Sequence, residues 1–221
     1  MSEPVVLVNQ EGGVATVTLN RPEKLNALNR ELRSEFCRVM QALRDDPGAG
    51  VVIITGAGRA FCAGLDLKEL GSDNAKEGGA VVRDTTTVSF ISVIEDMRVP
   101  VIAAVNGFAV TGGFELALAC DMIVATEGAS FADTHARVGV MPGGGMSARL
   151  PRAIGIRKAK EMSLTGNYLP AREAERMGLV NRVVPNDRLL AEATELARQI
   201  LGADQNLVRQ MKRLYDLTTS T

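Results

Sequence analysis

Histidine occurs once, at His135, and cysteine three times, at Cys37, Cys62 and Cys120. A lone histidine, with no cysteine pair at zinc-ligand spacing, excludes the usual structural and catalytic zinc sites. A Ser-His-Asp hydrolase would have to recruit His135, and no G-x-S-x-G elbow accompanies it. Three scattered cysteines form no disulfide frame and read as reduced packing residues of a cytoplasmic protein. Excess positive charge is lacking too, since 25 Lys and Arg stand against 26 Asp and Glu. That balance offers no broad basic surface to nucleic acid or to an anionic membrane. No apolar run reaches the ~18 residues of a spanning helix, and Met1-Ser2-Glu3-Pro4 does not open like a signal peptide.

What is present suits one α/β domain: 221 residues, 46% hydrophobic and 23% charged. Val5 to Asn9 and Ala15 to Asn20 are strand-like, with a hairpin turn predicted at Gln10-Glu11-Gly12-Gly13. Leu32, Phe36, Val39, Met40 and Leu43 recur at helical spacing, and Asp46-Pro47-Gly48 ends that pattern. Val51 to Thr55 and Val101 to Val105 are apolar runs of the kind buried on both faces. A glycine-rich crossover, Gly56 to Gly64, follows the first, and the turn Asn106-Gly107 follows the second. Residues 71–80 read as a mobile loop or short frayed helix, and a helix is predicted over about 84–97. Gly112-Gly113 opens the apolar helix Phe114 to Cys120, and Met122 to Thr126 is a further strand. After Pro142-Gly143-Gly144-Gly145 come an amphipathic helix near 157–164, a helix-Gly178-strand unit ending at Pro185, and a helical tail after Asp187. Strand, crossover and helix alternate with no repeat at fixed period.

Two places join a buried strand, a glycine-rich turn and a helix start: Phe61 to Lys68 and Asn106 to Glu115. Glycine lets a backbone amide approach a ligand without a Cβ between them. Amides at a helix start have no intrahelical partner and carry partial positive charge. Two of them meeting at one oxygen would form an oxyanion hole, with removal of one donor typically costing ~3–4 kcal/mol. Either turn alone is satisfied by tight-turn geometry. Gly56-x-Gly58 imitates a dinucleotide fingerprint, but Phe61 stands where its third small residue belongs. Glu115 is the sharper signal, because Phe114 to Cys120 is apolar on every side. A carboxylate there either escapes to solvent or meets a polar partner, and directly after an oxyanion donor the functional role is preferred.

These residues resemble the crotonase family, the enoyl-CoA hydratase/isomerase superfamily. The matching segments, in order, are Arg21-Pro22-x-x-x-Asn26-Ala27-Leu28, Phe61-Cys62-Ala63-Gly64-Leu65-Asp66-Leu67 and Asn106-Gly107-x-Ala109-x-x-Gly112-Gly113-x-Glu115-Leu116. Ala129-Ser130-Phe131, Gly139-Val140-Met141-Pro142-Gly143 and Gly178-Leu179-Val180-Asn181-x-Val183 complete the set, so the match runs from about Val5 to about Val208. The resemblance implies an α/β fold, a spiral of repeated β-β-α turns with a helical C-terminal region. It implies one domain over 1–221, with a spiral core to about 185 and a helical part from about 186. That last part is shorter than the family's, implying an incomplete tail or a more open site. Assembly as a homotrimer, or as a hexamer of paired trimers, is implied as well.

The implied substrate is an acyl-CoA or enoyl-CoA thioester, with no metal, nicotinamide or flavin. By position the oxyanion amides resemble Leu65 and Gly112, and Glu115 resembles the first catalytic glutamate of the hydratases. Lys24, Leu25, Ala63, Asp66, Leu67 and Lys68 fall where the family lines the CoA moiety, the two lysines being phosphate contacts or plain surface residues. His135 stands where the family has its second catalytic glutamate. It either handles a proton or water, or is a packed histidine in a short helix capped by Asp133 or Thr134. The implied activity is reversible hydration of trans-2-enoyl-CoA, with Glu115 as base. A non-catalytic acyl-CoA-binding protein and a CoA-thioester decarboxylase or lyase are the alternatives.

Overall fold

A computed structural model describes residues 3–66, 68–69 and 89–219. Strands β1 (Val6–Glu11) and β2 (Val14–Leu19) form an antiparallel hairpin paired from Val6↔Leu19 to Glu11↔Val14. The turn is only Gly12-Gly13, both with positive φ, as a two-residue hairpin loop demands. The strand therefore runs two residues further than its alternation suggested.

Helix α1 (Arg30–Asp45) starts at Asn29, whose side chain accepts from the Leu32 amide at 2.9 Å. Its buried stripe includes Leu32, Phe36, Val39, Met40 and Leu43, the predicted set. β3 (Val51–Gly56), β5 (Val101–Val105), β7 (Met122–Thr126) and β10 (Arg182–Val184) then run parallel, giving a six-stranded sheet in the order β1-β2-β3-β5-β7-β10.

A second sheet escaped the sequence reading. β4 (Ala60–Cys62), β6 (Phe108–Val110) and β8 (Ser130–Ala132) are parallel three-residue strands, and β9 (Leu169–Pro170) joins β8 antiparallel. The segments whose sequence reads as a crossover and a turn thus carry strands of their own, too short to show alternation. Each circuit of the chain lays one strand in each sheet: β3 then β4, β5 then β6, β7 then β8. This is the β-β-α spiral that the resemblance implied.

Along β3, Val52 and Ile54 face the main core with Phe61, Phe114 and Phe131. Val51 and Ile53 face the opposite side, where α8 (Leu189–Leu201) lays Leu189, Ala193 and Ala197. Both faces are covered, which is why β3 reads as an unbroken apolar run. Each fully buried phenylalanine contributes about 1.5–3 kcal/mol.

Between the circuits stand α2 (Ser92–Glu95) and α3 (Gly112–Ala119). Within the described residues the helix expected over about 84–97 is the single turn α2. The expectations for residues 71–80 and for Leu67 lie outside the described residues. After β8 come α4 (His135–Val138), α5 (Met146–Ile154), α6 (Ile156–Thr165) and α7 (Ala171–Arg176). The helical tail after Asp187 is α8 followed by α9 (Gln205–Thr219). Lys212 of α9 pairs with Asp121 at 2.6 Å.

Candidate active site

Three successive circuits of the spiral end around one cleft of about 280 Å³, bordered by Ala63, Leu65, Gly112, Glu115, His135 and Gly144. Phe90, Ile91, Val138, Val140 and Met141 add apolar wall.

The first circuit supplies Ala63 to Asp66. This stretch zips onto the Arg21–Leu28 loop: the Ala63 amide donates to Leu25 O at 3.0 Å and the Leu28 amide to Gly64 O at 2.8 Å. Leu65 lies opposite Leu28 in a parallel bridge whose other bond runs from the Asp66 amide to Leu28 O. In that pattern the opposed residue turns its own N–H away from its partner. Asn26 anchors the loop. It is fully buried, its amide nitrogen donating to Ala57 O and Ala60 O at 2.9 and 2.8 Å and its oxygen accepting from the Arg21 amide at 2.9 Å.

The second circuit supplies Thr111 to Glu115. Gly112 opens α3, where an amide has no intrahelical acceptor. A Cβ on Gly112 would meet the Leu65 nitrogen at 3.7 Å, so the two turns lie side by side. Two glycines permit that approach. Gly64 has φ +93°, and a Cβ on Gly113 would fall 2.1 Å from Cys62 O. Thr111 has φ 48°, ψ −117°, a region that a β-branched residue enters only with strain.

Glu115 is 4% exposed. Its Oε1 accepts from the Gly144 amide at 2.7 Å and from the Met146 amide at 3.4 Å. The polar partners missing from its own helix come from the glycine run Gly143–Gly145 and the Met146 that follows it. Arg149 on α5 braces that run, donating to Gly144 O at 2.7 Å and pairing with Glu95.

The third circuit supplies His135, 7% exposed, whose Nε2 stands 3.8 Å from Glu115 Oε2. Its Nδ1 is 2.6 Å from Asp133 Oδ1, which also accepts from the His135 amide at 3.2 Å. Thr134 makes no side-chain cap, so of the two expected caps Asp133 takes the role. Burial works against the Asp133 charge. Hydrogen bonds from the His135 ring, the Ser163 hydroxyl and the His135 amide outweigh it and hold the carboxyl below its ordinary range.

Other expected residues are spread more widely. Asp66 faces Arg21 at 3.3 Å. Lys24 is exposed in the short 3-10 turn Pro22–Lys24, and Leu25 closes that turn in the left-handed region. Lys68 is exposed, its amide donating to Asp66 Oδ1 at 3.2 Å. None of these four lines the cleft. Cys62 is inert there, since burial pushes its thiol up to about 12. Asp133, Arg149 and the Gly144 and Met146 amides were not anticipated as site groups. Only the Asp133-x-His135 spacing could have signalled one of them.

A family model described as enoyl-CoA hydratase/isomerase matches residues 9–221. The chain is 43% identical over 217 residues to "Probable enoyl-CoA hydratase 1, peroxisomal" of Arabidopsis thaliana, covering 98% of this chain and 80% of that one. A "Probable enoyl-CoA hydratase" of Mycobacterium bovis is 42% identical over 215 residues, covering 96% and 81%. The crystal structure of enoyl-CoA hydratase from Mycobacterium smegmatis superposes with a TM-score of 0.86 at 47% identity, covering 99% and 92%. With the spiral of paired sheets and the cleft at its circuit ends, these likenesses place the chain in the enoyl-CoA hydratase/isomerase family.

Proposed function

We propose that the cleft hydrates trans-2-enoyl-CoA reversibly to 3-hydroxyacyl-CoA. The carrying observation is Glu115: buried, with one oxygen tied to Gly144 and the other facing His135 beside Leu65 and Gly112. The Leu65 and Gly112 amides donate to the thioester oxygen and stabilise the enolate that forms when water adds at C3. Glu115 takes the proton from that water as the C3–O bond forms, a contribution of about 10²–10⁴-fold. A water about 2.8 Å from each partner spans the 3.8 Å between Glu115 Oε2 and His135 Nε2. His135 orients it or returns a proton to C2, and the reaction consumes no cofactor.

Lys24 and Lys68 meet the CoA phosphates in this reading, with Leu25, Ala63, Asp66 and Leu67 along the same arm. A cytoplasmic homotrimer or paired-trimer assembly belongs to it too. Cys37, Cys62 and Cys120, joined in no disulfide, support the reducing compartment. Leu207, Met211 and Leu214, 55–63% exposed on α9, support a contact with another copy, testable by light scattering.

The test follows crotonyl-CoA absorbance with wild type and Glu115→Gln. Loss of about 10²-fold or more in kcat is expected, and equal rates would remove Glu115 from the mechanism. Tight acyl-CoA binding with no turnover would favour the non-catalytic binding protein, and product analysis separates decarboxylase or lyase chemistry.

A further inference from the structure

We propose that Asp133 is a positioning residue for the hydration, fixing the proton of His135 on Nδ1 so that Nε2 is presented to Glu115 and the reacting water. This rests on the function proposed above. The observation behind it is a row of three buried polar groups, Asp133, His135 and Glu115. Asp133 is 1% exposed.

A helix cap needs only an acceptor for a backbone amide. Asp133 does more, since its contact with Nδ1, at 2.6 Å, is shorter than that with the His135 amide, at 3.2 Å. An ionised carboxylate can only accept, so Nδ1 must carry hydrogen. Half-buried Ser163 on α6 also favours the charged carboxylate. Arg137, the cation nearest in sequence, is committed elsewhere, to Thr165 O and Asn167 Oδ1 at 2.8 and 3.0 Å.

The consequence is chemical. With Nδ1 protonated, the Nε2 lone pair of the neutral ring can accept a hydrogen bond from the attacking water, whose other hydrogen goes to Glu115 as its oxygen bonds C3. That one proton can pass from Glu115 to Nε2, 3.8 Å away, and the resulting imidazolium, between two carboxylates, gives it on to C2. With hydrogen on Nε2 alone, the neutral ring cannot accept on that side. The second proton-handling group is then a carboxylate–imidazole pair, Asp133 with His135, acting opposite Glu115.

His135 is the single histidine of the chain, so its ring can be observed directly. With any affinity tag removed and histidine labelled with nitrogen-15, wild type should show a protonated Nδ1 bearing a low-field proton. A neutral ring with its hydrogen on Nε2 overturns the proposal before any variant is made. In Asp133→Asn the side-chain amide can donate as well as accept. The low-field proton should vanish, and kcat should fall at least about tenfold with KM within about twofold. An unchanged ring spectrum, or a changed spectrum with unchanged kcat, overturns it, the latter making the contact purely structural. Failure of the hydratase reading is distinguishable, because it shows as absent turnover in wild type. The ring spectra then decide by themselves whether Asp133 sets the tautomer.

Discussion

The Gly144 amide donates to the Glu115 carboxylate at 2.7 Å, joining residues 29 apart in sequence. The buried charge therefore owes its placement to the roof of the cleft, not to its own helix. Gly144 is in turn held through its carbonyl by Arg149, which Glu95 pairs. Arg149→Met keeps the stem of the side chain and removes both contacts. Its kcat should fall between about 3- and 100-fold through displacement of Glu115, checked by steady-state hydration of crotonyl-CoA. A rate equal to wild type would show that the glycine run holds its shape unaided.

Asn26 joins the loop before α1 to the first circuit by three hydrogen bonds while fully buried. Asn26→Ala leaves two carbonyls and one amide without that partner. A loss of about 2–4 kcal/mol is expected, read as a lower urea midpoint with an unchanged slope.

Thr111 holds its positive φ without help from glycine. Thr111→Gly relieves the strain, whereas Thr111→Ala keeps it and loses the same side-chain contacts. The glycine variant should be the more stable of the two by about 1 kcal/mol, the reverse of the ordinary order. Paired urea titrations decide this.

Asp133 gives the acid dependence a sign. Its folded carboxyl sits below the ordinary value of 3.8. Its contribution to stability is therefore present above that pH and is lost as pH falls through the lower folded value. The stability gap between wild type and Asp133→Asn should shrink below about pH 3.8 and be largest near neutrality. Urea midpoints measured from pH 6 to pH 2.5 check this, and a gap that widens towards acid would reverse the assignment.

What could be read from residues alone followed element length. α1 showed its stripe over four turns, and β3 and β5 stood out as apolar runs. β4, β6 and β8 did not, because three residues hold barely one period of alternation. α5 was hidden as well, since Pro151 lies inside it and three glycines precede it. At the site, Glu115 drew notice through its conflict with an apolar helix. Its partners could not be named, because backbone amides of Gly144 and Met146 have no side-chain signature. Asp133 was legible only as a cap, since its contact with the His135 ring depends on a rotamer.

Leu65, Glu115 and His135 come from three consecutive windings, and Gly144 from beyond the last. No single winding cut from this polypeptide can therefore hold a working chamber. A length ending before Gly128 would carry both amides and the carboxylate, yet nothing would stand opposite them. Modularity follows from the same layout: recasting the close of one winding alters one chemical group and leaves the others seated, a route by which a shared scaffold can take up new reactions.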